Sequence, residues 1–144
     1  GRPFAPSVIA IGVAIDSGNP QRYIGHIGQA GFGLPSREYY LLDEEPFIGH
    51  RAAYRDFIAA TLARAGIEEA EARADSVLAL ETAIAEASWA TAEMRDPVAM
   101  YNLMSVEDLA AFAPEFAWPI FLEETGFGGE SGIDALGLVG ELVV

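Results

Sequence analysis

Apolar residues fall along the chain in two rhythms, one short and dense, the other spaced at three and four positions. Residues 8–15, Val8-Ile9-Ala10-Ile11-Gly12-Val13-Ala14-Ile15, form an unbroken apolar run. It is too short and too β-branched for a helix and reads as a buried strand. Asp16-Ser17-Gly18-Asn19-Pro20 is dense in turn formers, and Arg22 to Gln29 alternates as a return strand, so a small hairpin is predicted. Ala30-Gly31-Phe32-Gly33-Leu34-Pro35 reads as a loop that uses glycine freedom at two positions. Ser36 is then placed to cap a short helical turn carrying Tyr39 and Tyr40.

The longer rhythm follows. Asp43-Glu44-Glu45 ahead of Pro46 puts carboxylates at the positive end of a helix predicted from Pro46 to Ala65 and closed by Gly66. Its apolar stripe is Tyr54, Phe57, Ile58 and Leu62. A second long helix is predicted from Glu68 to Trp89, with Val77, Leu80, Ile84 and Ser88 on one face. Ser105 opens a third helix, with Asp108 three positions after the cap, ending before Pro114. Pro119 starts a short fourth that stops at Gly126, and residues 128–132 read as flexible punctuation. The fold class expected is therefore mainly α: one helical unit with an N-terminal β-hairpin. The apolar run at 138–144 reads as a chain cut in mid-domain.

Composition narrows the functions open to such a unit. The 144 residues are the size of one domain, and 51% of them are hydrophobic, enough for a real core. Twenty-two acidic residues against 8 basic ones leave a net charge of −14, which opposes binding to a phosphate backbone; no nucleic-acid partner is expected. The absence of cysteine removes disulfides, thiolate nucleophiles and cysteine metal sites together. The apolar run at 8–15 falls far short of the ~20 residues that span a bilayer.

Candidate chemistry is sparse. A zinc hydrolase needs three or more ligands, usually with two histidines one helical turn apart. Only His26 and His50 are present, without a His-Glu-x-x-His around either, so no metal ligand, cofactor site or catalytic residue is assigned. No Gly-x-Ser-x-Gly occurs, Pro35 spoils the Gly31-x-Gly33 stretch as a phosphate loop, and residues 43–45 lack the spaced ligands of a calcium loop. One position stands out. Glu81 lies on the apolar stripe of the second helix, where a carboxylate costs several kcal/mol unless it is partnered. Arg51 and Arg95 lie beside elements expected to pack near that helix, so a structural Glu81–arginine pair fixing how the helices dock is predicted.

An ordered set of words adds a resemblance. The chain reads Asp16-x-x-Asn19, Gln29-x-Gly31-x-Gly33-Leu34-Pro35-x-x-x-Tyr39-Tyr40 and Arg51-x-x-Tyr54. It continues with Leu80-Glu81-x-x-Ile84-Ala85, Arg95-Asp96-Pro97, Tyr101-Asn102, Leu109 and Pro114-x-Phe116-x-Trp118. Over residues 8–125 this closely resembles the N-terminal domain of the neprilysin and endothelin-converting-enzyme family of zinc metallopeptidases, in a bacterial oligopeptidase-like form. Phe32 stands where that family usually has leucine.

The resemblance implies a two-lobed helical enzyme around a central cavity, with zinc in the parent protein held by the other lobe. Residues 1–144 would be part of the non-catalytic capping lobe, with the catalytic zinc domain absent and the chain alone inactive. The partners implied are the missing catalytic domain and the peptide substrates of the parent, in a periplasmic or secreted setting. Self-association through an exposed domain face, or poor thermal stability, is expected of the isolated piece. The rival reading is a stand-alone acidic helical protein-interaction module derived from the same lobe.

Overall fold

The β-branched run and the alternating segment after it pair as the pattern predicts, but the run is half-buried or exposed along its length rather than a buried strand. In the computed structural model, which describes residues 8–127 and a terminal strand at 141–143, the N-terminal elements are strands β1 (Ile9–Ile15) and β2 (Tyr23–Gln29). Helices α1 (Glu38–Leu41), α2 (Phe47–Arg64) and α3 (Ala70–Ala87) follow. After a 3₁₀ turn at Glu93–Arg95 come β3 (Leu103–Ser105), α4 (Val106–Phe112), α5 (Trp118–Glu124) and β4 (Glu141–Val143). The chain divides into two compact units, one of Gly1–Ala30 with Asp96–Val144, the other of Gly31–Arg95.

In the first unit β1 and β2 are antiparallel, from Ile9 opposite Gln29 to Ile15 opposite Tyr23. Two further strands, unforeseen in the sequence, extend the hairpin into a four-stranded sheet of order β1-β2-β4-β3, with β4 parallel to β2 and antiparallel to β3. Each is only three residues long, too short to show a period of two. The odd-numbered face of the hairpin carries Ile9, Ile11 and Ile27 onto a core shared with Leu109 and Trp118. Trp118 buries its indole and donates Nε1–H to the carbonyl of Ala113 at 2.9 Å, the usual requirement for a buried tryptophan.

The helix ends obey the local rules. Ser105 Oγ accepts from the Asp108 N–H at 3.0 Å while the Asp108 carboxylate reaches back to the Ser105 N–H, a reciprocal capping box. α5 closes with Gly126 at φ 83°, where the N–H of Gly126 meets Glu123 O and that of Phe127 meets Leu122 O. α2 closes in the same way at Gly66, φ 75°, through Gly66 to Ala63 and Ile67 to Leu62. The stretch read as flexible punctuation, 128–132, lies outside the described residues.

In the second unit α2 and α3 form a helical hairpin with α1 against both. The boundaries predicted at 46–65 and 68–89 contract by one or two residues at each end. α1 starts one residue later than the Ser36 cap implies, with Arg37 at the N-cap position. Pro46 takes the N-cap of α2 after a cis Glu45–Pro46 bond, so the carboxylates of 43–45 precede the helix and its first turn holds no acid. The apolar stripes hold except at two positions. Ala59, Ala74 and Ala85 are the buried residues, while Phe57 is 65% exposed and Leu80 61% exposed. Tyr54, Ile58, Leu62, Val77, Ile84 and Ser88 keep to the half-buried side as the spacing predicts, so alanines displace only Phe57 and Leu80 from it.

Candidate functional site

The packed face of α3 reads Ala74, Val77, Leu78, Glu81, Ile84 and Ala85, so the one carboxylate on it sits in mid-seam. It is met by neutral donors. Tyr40 donates its hydroxyl to Glu81 Oε2 at 2.5 Å, Tyr54 donates to Oε1 at 3.0 Å, and the Gly33 N–H approaches Oε2 at 3.3 Å. Tyr40 accepts in turn from the Leu34 N–H at 2.9 Å. One side chain of α3 thereby holds the Gly31–Pro35 loop, α1 and α2 together. Gly33 has to be glycine for this: a Cβ there would lie 1.8 Å from the Tyr54 hydroxyl oxygen.

The electrostatics follow from the same contacts. Burial, then the bond to Glu81, raises the Tyr40 hydroxyl far above the ordinary tyrosine range. The same two causes push Tyr54 up to about 12. Both phenols keep their protons, and so their bonds to Glu81, across the neutral range.

The predicted Glu81–arginine pair is not what forms. Arg51 donates Nη1 to the carbonyls of Tyr39 at 3.1 Å and Leu42 at 2.6 Å, and Nη2 to Asp43 at 2.8 Å, pinning the α1–α2 connection. Arg95 ends the 3₁₀ turn and is exposed. Among the described residues no arginine reaches Glu81. Arg51 is engaged at the α1–α2 connection, and two phenols already fill both oxygens of the half-buried Glu81. The donors Tyr40 and Tyr54 lie 41 and 27 positions from Glu81, so no local pattern pairs them with it.

A second carboxylate, missed at the sequence level, anchors the other unit. Asp16 is fully buried at the end of β1. It accepts from Arg22 Nε at 2.6 Å, the Gly18 N–H at 2.7 Å and the Tyr101 hydroxyl at 2.9 Å. Burial alone would raise its pKa; the bonds from Arg22, Gly18 and Tyr101 together outweigh that and hold it below the usual carboxylate value. The signal lay in the turn Asp16-Ser17-Gly18, an acid two residues ahead of a glycine whose N–H it caps.

Arg55 clamps α2 to α3 through Asp75 at 2.7 Å and through Glu71, and those partners raise its pKa. Tyr39 packs at a tilt against His50, with ring centroids 5.4 Å apart. His26 and His50 fall in different units, and Nε2 of His26 is buried with no hydrogen-bond partner. Among the described residues no group of three or more His, Cys, Asp or Glu is arranged to hold a metal ion, and no helix is long and apolar enough to cross a membrane. What the described residues form is a pair of carboxylate-centred structural hubs.

Comparison with known proteins identifies the scaffold these hubs support. The human protein named endothelin-converting enzyme-like 1 is 30% identical over 122 residues, which cover 83% of this chain but 16% of its own length. Human membrane metallo-endopeptidase-like 1 is 36% identical over 126 residues, covering 75% of this chain and 15% of its own. The crystal structure of the Mycobacterium tuberculosis zinc metalloprotease Zmp1 in complex with an inhibitor superposes on 96% of this chain with a TM-score of 0.82 and 32% identity. That overlap covers 20% of the Zmp1 chain; the open-state structure of the same protease gives 0.78. The chain thus spans about a fifth or less of the length of the relatives it matches. A family model for the N-terminal region, described as Peptidase family M13, matches residues 3–139, and the chain belongs to that family as part of its N-terminal domain.

Proposed function

We propose that this chain is a wall segment of the peptide-enclosing lobe of a zinc metalloendopeptidase, acting by shape and docking rather than by chemistry. The observation that carries the reading is the superposition of nearly the whole chain on one fifth of Zmp1, a zinc metalloprotease. The faces of α2 and α3 that do not form their seam support it. Phe57 and Leu80 stand exposed among alanines there, the composition of a helix pair meant to be covered on more than one side. The partner in this reading is the remainder of a longer polypeptide, and the peptide substrates belong to the assembled enzyme.

Zinc would belong to that remainder. The described residues do not fit a zinc site, since His26 and His50 lie in separate units and neither is joined by further ligands. What this chain's residues contribute is rigidity: Glu81 ties the Gly33 loop, α1 and α2 to α3, and Asp16 ties the hairpin turn to Tyr101. The proposal also carries an exported setting, periplasmic or secreted, which rests on the family resemblance alone.

The test is a chimera. Residues 3–139 replace the matching segment of the Mycobacterium tuberculosis protease, and zinc-dependent cleavage of a reporter peptide is followed. The chimera is expected to cleave and the isolated chain not to. Chelator-sensitive cleavage by the isolated chain would overturn the proposal, as would a folded, zinc-loaded chimera without activity.

A further inference from the structure

The chain from Thr91 to Val98 is exposed at every residue, and between α3 and β3 it holds only short turns. Two of those turns meet without overlapping. The first ends on Arg95, whose N–H donates to Ala92 O at 3.4 Å. The second opens on Asp96, whose carbonyl accepts from the Met100 N–H at 3.0 Å. Its Oδ1 accepts from the Val98 N–H at 2.9 Å and the Ala99 N–H at 3.3 Å. Among the described residues no hydrogen bond reaches the Arg95 carbonyl or the Asp96 N–H. The peptide bond between them is also the point where the two compact units divide.

The other arginines among the described residues sit in protected backbone. The Arg37 carbonyl accepts from the N–H groups of Tyr40 at 3.0 Å and Leu41 at 3.2 Å. Arg51, Arg55, Arg64 and Arg73 belong to α2 and α3, and Arg22 is half-buried in the hairpin turn, bonded to Asp16. Lysine is absent. An endopeptidase takes its substrate as an extended strand, so a cut inside a helix first requires the helix to open. An exposed loop meets that demand at little cost.

We propose that Arg95–Asp96 is a processing site for an arginine-directed endopeptidase, and that the cut chain stays assembled. Water adds across the amide, its hydroxyl to the Arg95 carbonyl carbon and its proton to the Asp96 nitrogen, and both new termini lie in exposed chain. The pieces 1–95 and 96–144 each supply part of the first unit, while the second unit lies whole within the first piece. Three links hold the pieces together. β4 pairs with β2, Leu109 and Trp118 share a core with Ile27, and the Tyr101 hydroxyl donates to Asp16 at 2.9 Å. The fold selects this bond against the preference of the sequence. Asp96 sets a carboxylate beside the arginine that an acidic specificity pocket must take in, whereas Arg51, Arg64 and Arg73 are each followed by alanine. The inference concerns these 144 residues and does not depend on the peptidase reading.

The experiment is limited digestion of the 144-residue chain with trypsin, followed by mass spectrometry and by size-exclusion chromatography without denaturant. The first cut within the described residues is expected after Arg95, leaving a new terminus that reads Asp96-Pro97-Val98. The cut protein is expected to keep the elution volume of the intact chain, and denaturant to separate it into two pieces. In urea that unfolds the chain the order should invert, with the bonds after Arg51, Arg64 and Arg73 cut ahead of this one. Arg95→Gln, a change at an exposed residue, should lose the early cut and keep the circular-dichroism spectrum. A first cut of the native chain after any other described arginine overturns the proposal. So does separation of the two pieces without denaturant, digestion of Arg95→Gln at the native rate, or the same order of cutting in urea as in buffer.

Discussion

Tyr40 donates its hydroxyl to Glu81 at 2.5 Å across 41 positions of sequence, and that single bond joins the shortest helix of the second unit to the seam of its longest pair. Tyr40 is only 4% exposed, so losing its hydroxyl removes the shortest bond to the half-buried Glu81 carboxylate. Tyr40→Phe is expected to cost about 1.5–3 kcal/mol, a charged hydrogen bond's contribution. Tyr54→Phe should cost less, because its bond is longer at 3.0 Å and its surroundings are wetter. Glu81→Ala strands both phenols and should cost about 3 kcal/mol or more. Urea unfolding of the three variants checks the ranking.

Gly33 tests the same hub from the loop side. An added methyl would stand 1.8 Å from the Tyr54 hydroxyl oxygen, so Gly33→Ala must push Tyr54 off Glu81 or shift the loop. Gly33→Ala and Tyr54→Phe then remove one interaction between them. Their stability losses are expected to be clearly less than additive in a double-mutant cycle. Full additivity would mean that the loop moves and Tyr54 stays.

Two opposite pH dependences follow from the second unit. Glu38 accepts from Thr91 Oγ1 at 3.0 Å, and bonds from Ser36, its own backbone N–H and Thr91 lower its pKa from 4.5 to about 2. Its stabilisation is complete above pH 4.5 and is lost as pH falls toward 2, because the unfolded chain takes up the proton first. The stability gap between the native chain and Glu38→Gln should shrink over that window, from roughly 1 kcal/mol after solvent screening to nearly nothing. Tyr54 runs the other way. Its pKa rises from 10.0 to about 12, so the unfolded chain loses the proton first and stability falls as pH climbs through that interval. Tyr54→Phe should flatten the alkaline limb in guanidinium titrations at successive pH values.

These hubs mark where sequence reading reached and where it stopped. Elements with strong local signals were legible: the β-branched run, the turn at 16–20, the Ser105 capping box and the glycines that close α2 and α5. Glu81 was also legible as a carboxylate on the packed face, where it is half-buried. Its partner was not, since which donor fills a seam depends on residues 27 and 41 positions away and on how closely the alanines let the helices approach. Leu80 and Phe57 misled for a related reason. Where alanines such as Ala59, Ala74 and Ala85 take the most buried positions, a large residue at the margin of the stripe can face outward, as these two do. β3 and β4 exist only through each other and β2, and three residues of strand carry no pattern of their own.

Gly18 tests the hub of the first unit. A Cβ at that position would lie 2.5 Å from the Tyr101 hydroxyl oxygen and 2.8 Å from the ring carbon bearing it. Tyr101 cannot retreat freely, because its hydroxyl is bound to Asp16 at 2.9 Å. Gly18→Ala should therefore free the Tyr101 hydroxyl and bring its pKa, raised chiefly by the bond to Asp16, back toward the usual tyrosine value. An ultraviolet titration of the tyrosines reads this as one phenol ionising earlier. Asp16→Asn preserves shape while removing the charge facing Arg22, whereas Asp16→Ala leaves Arg22, Tyr101 and the Gly18 N–H without their acceptor. Asp16→Ala is accordingly expected to lower the melting temperature by about 5 °C or more, and Asp16→Asn by less. Equal losses would show that the hub depends on charge alone and not on its three-way geometry.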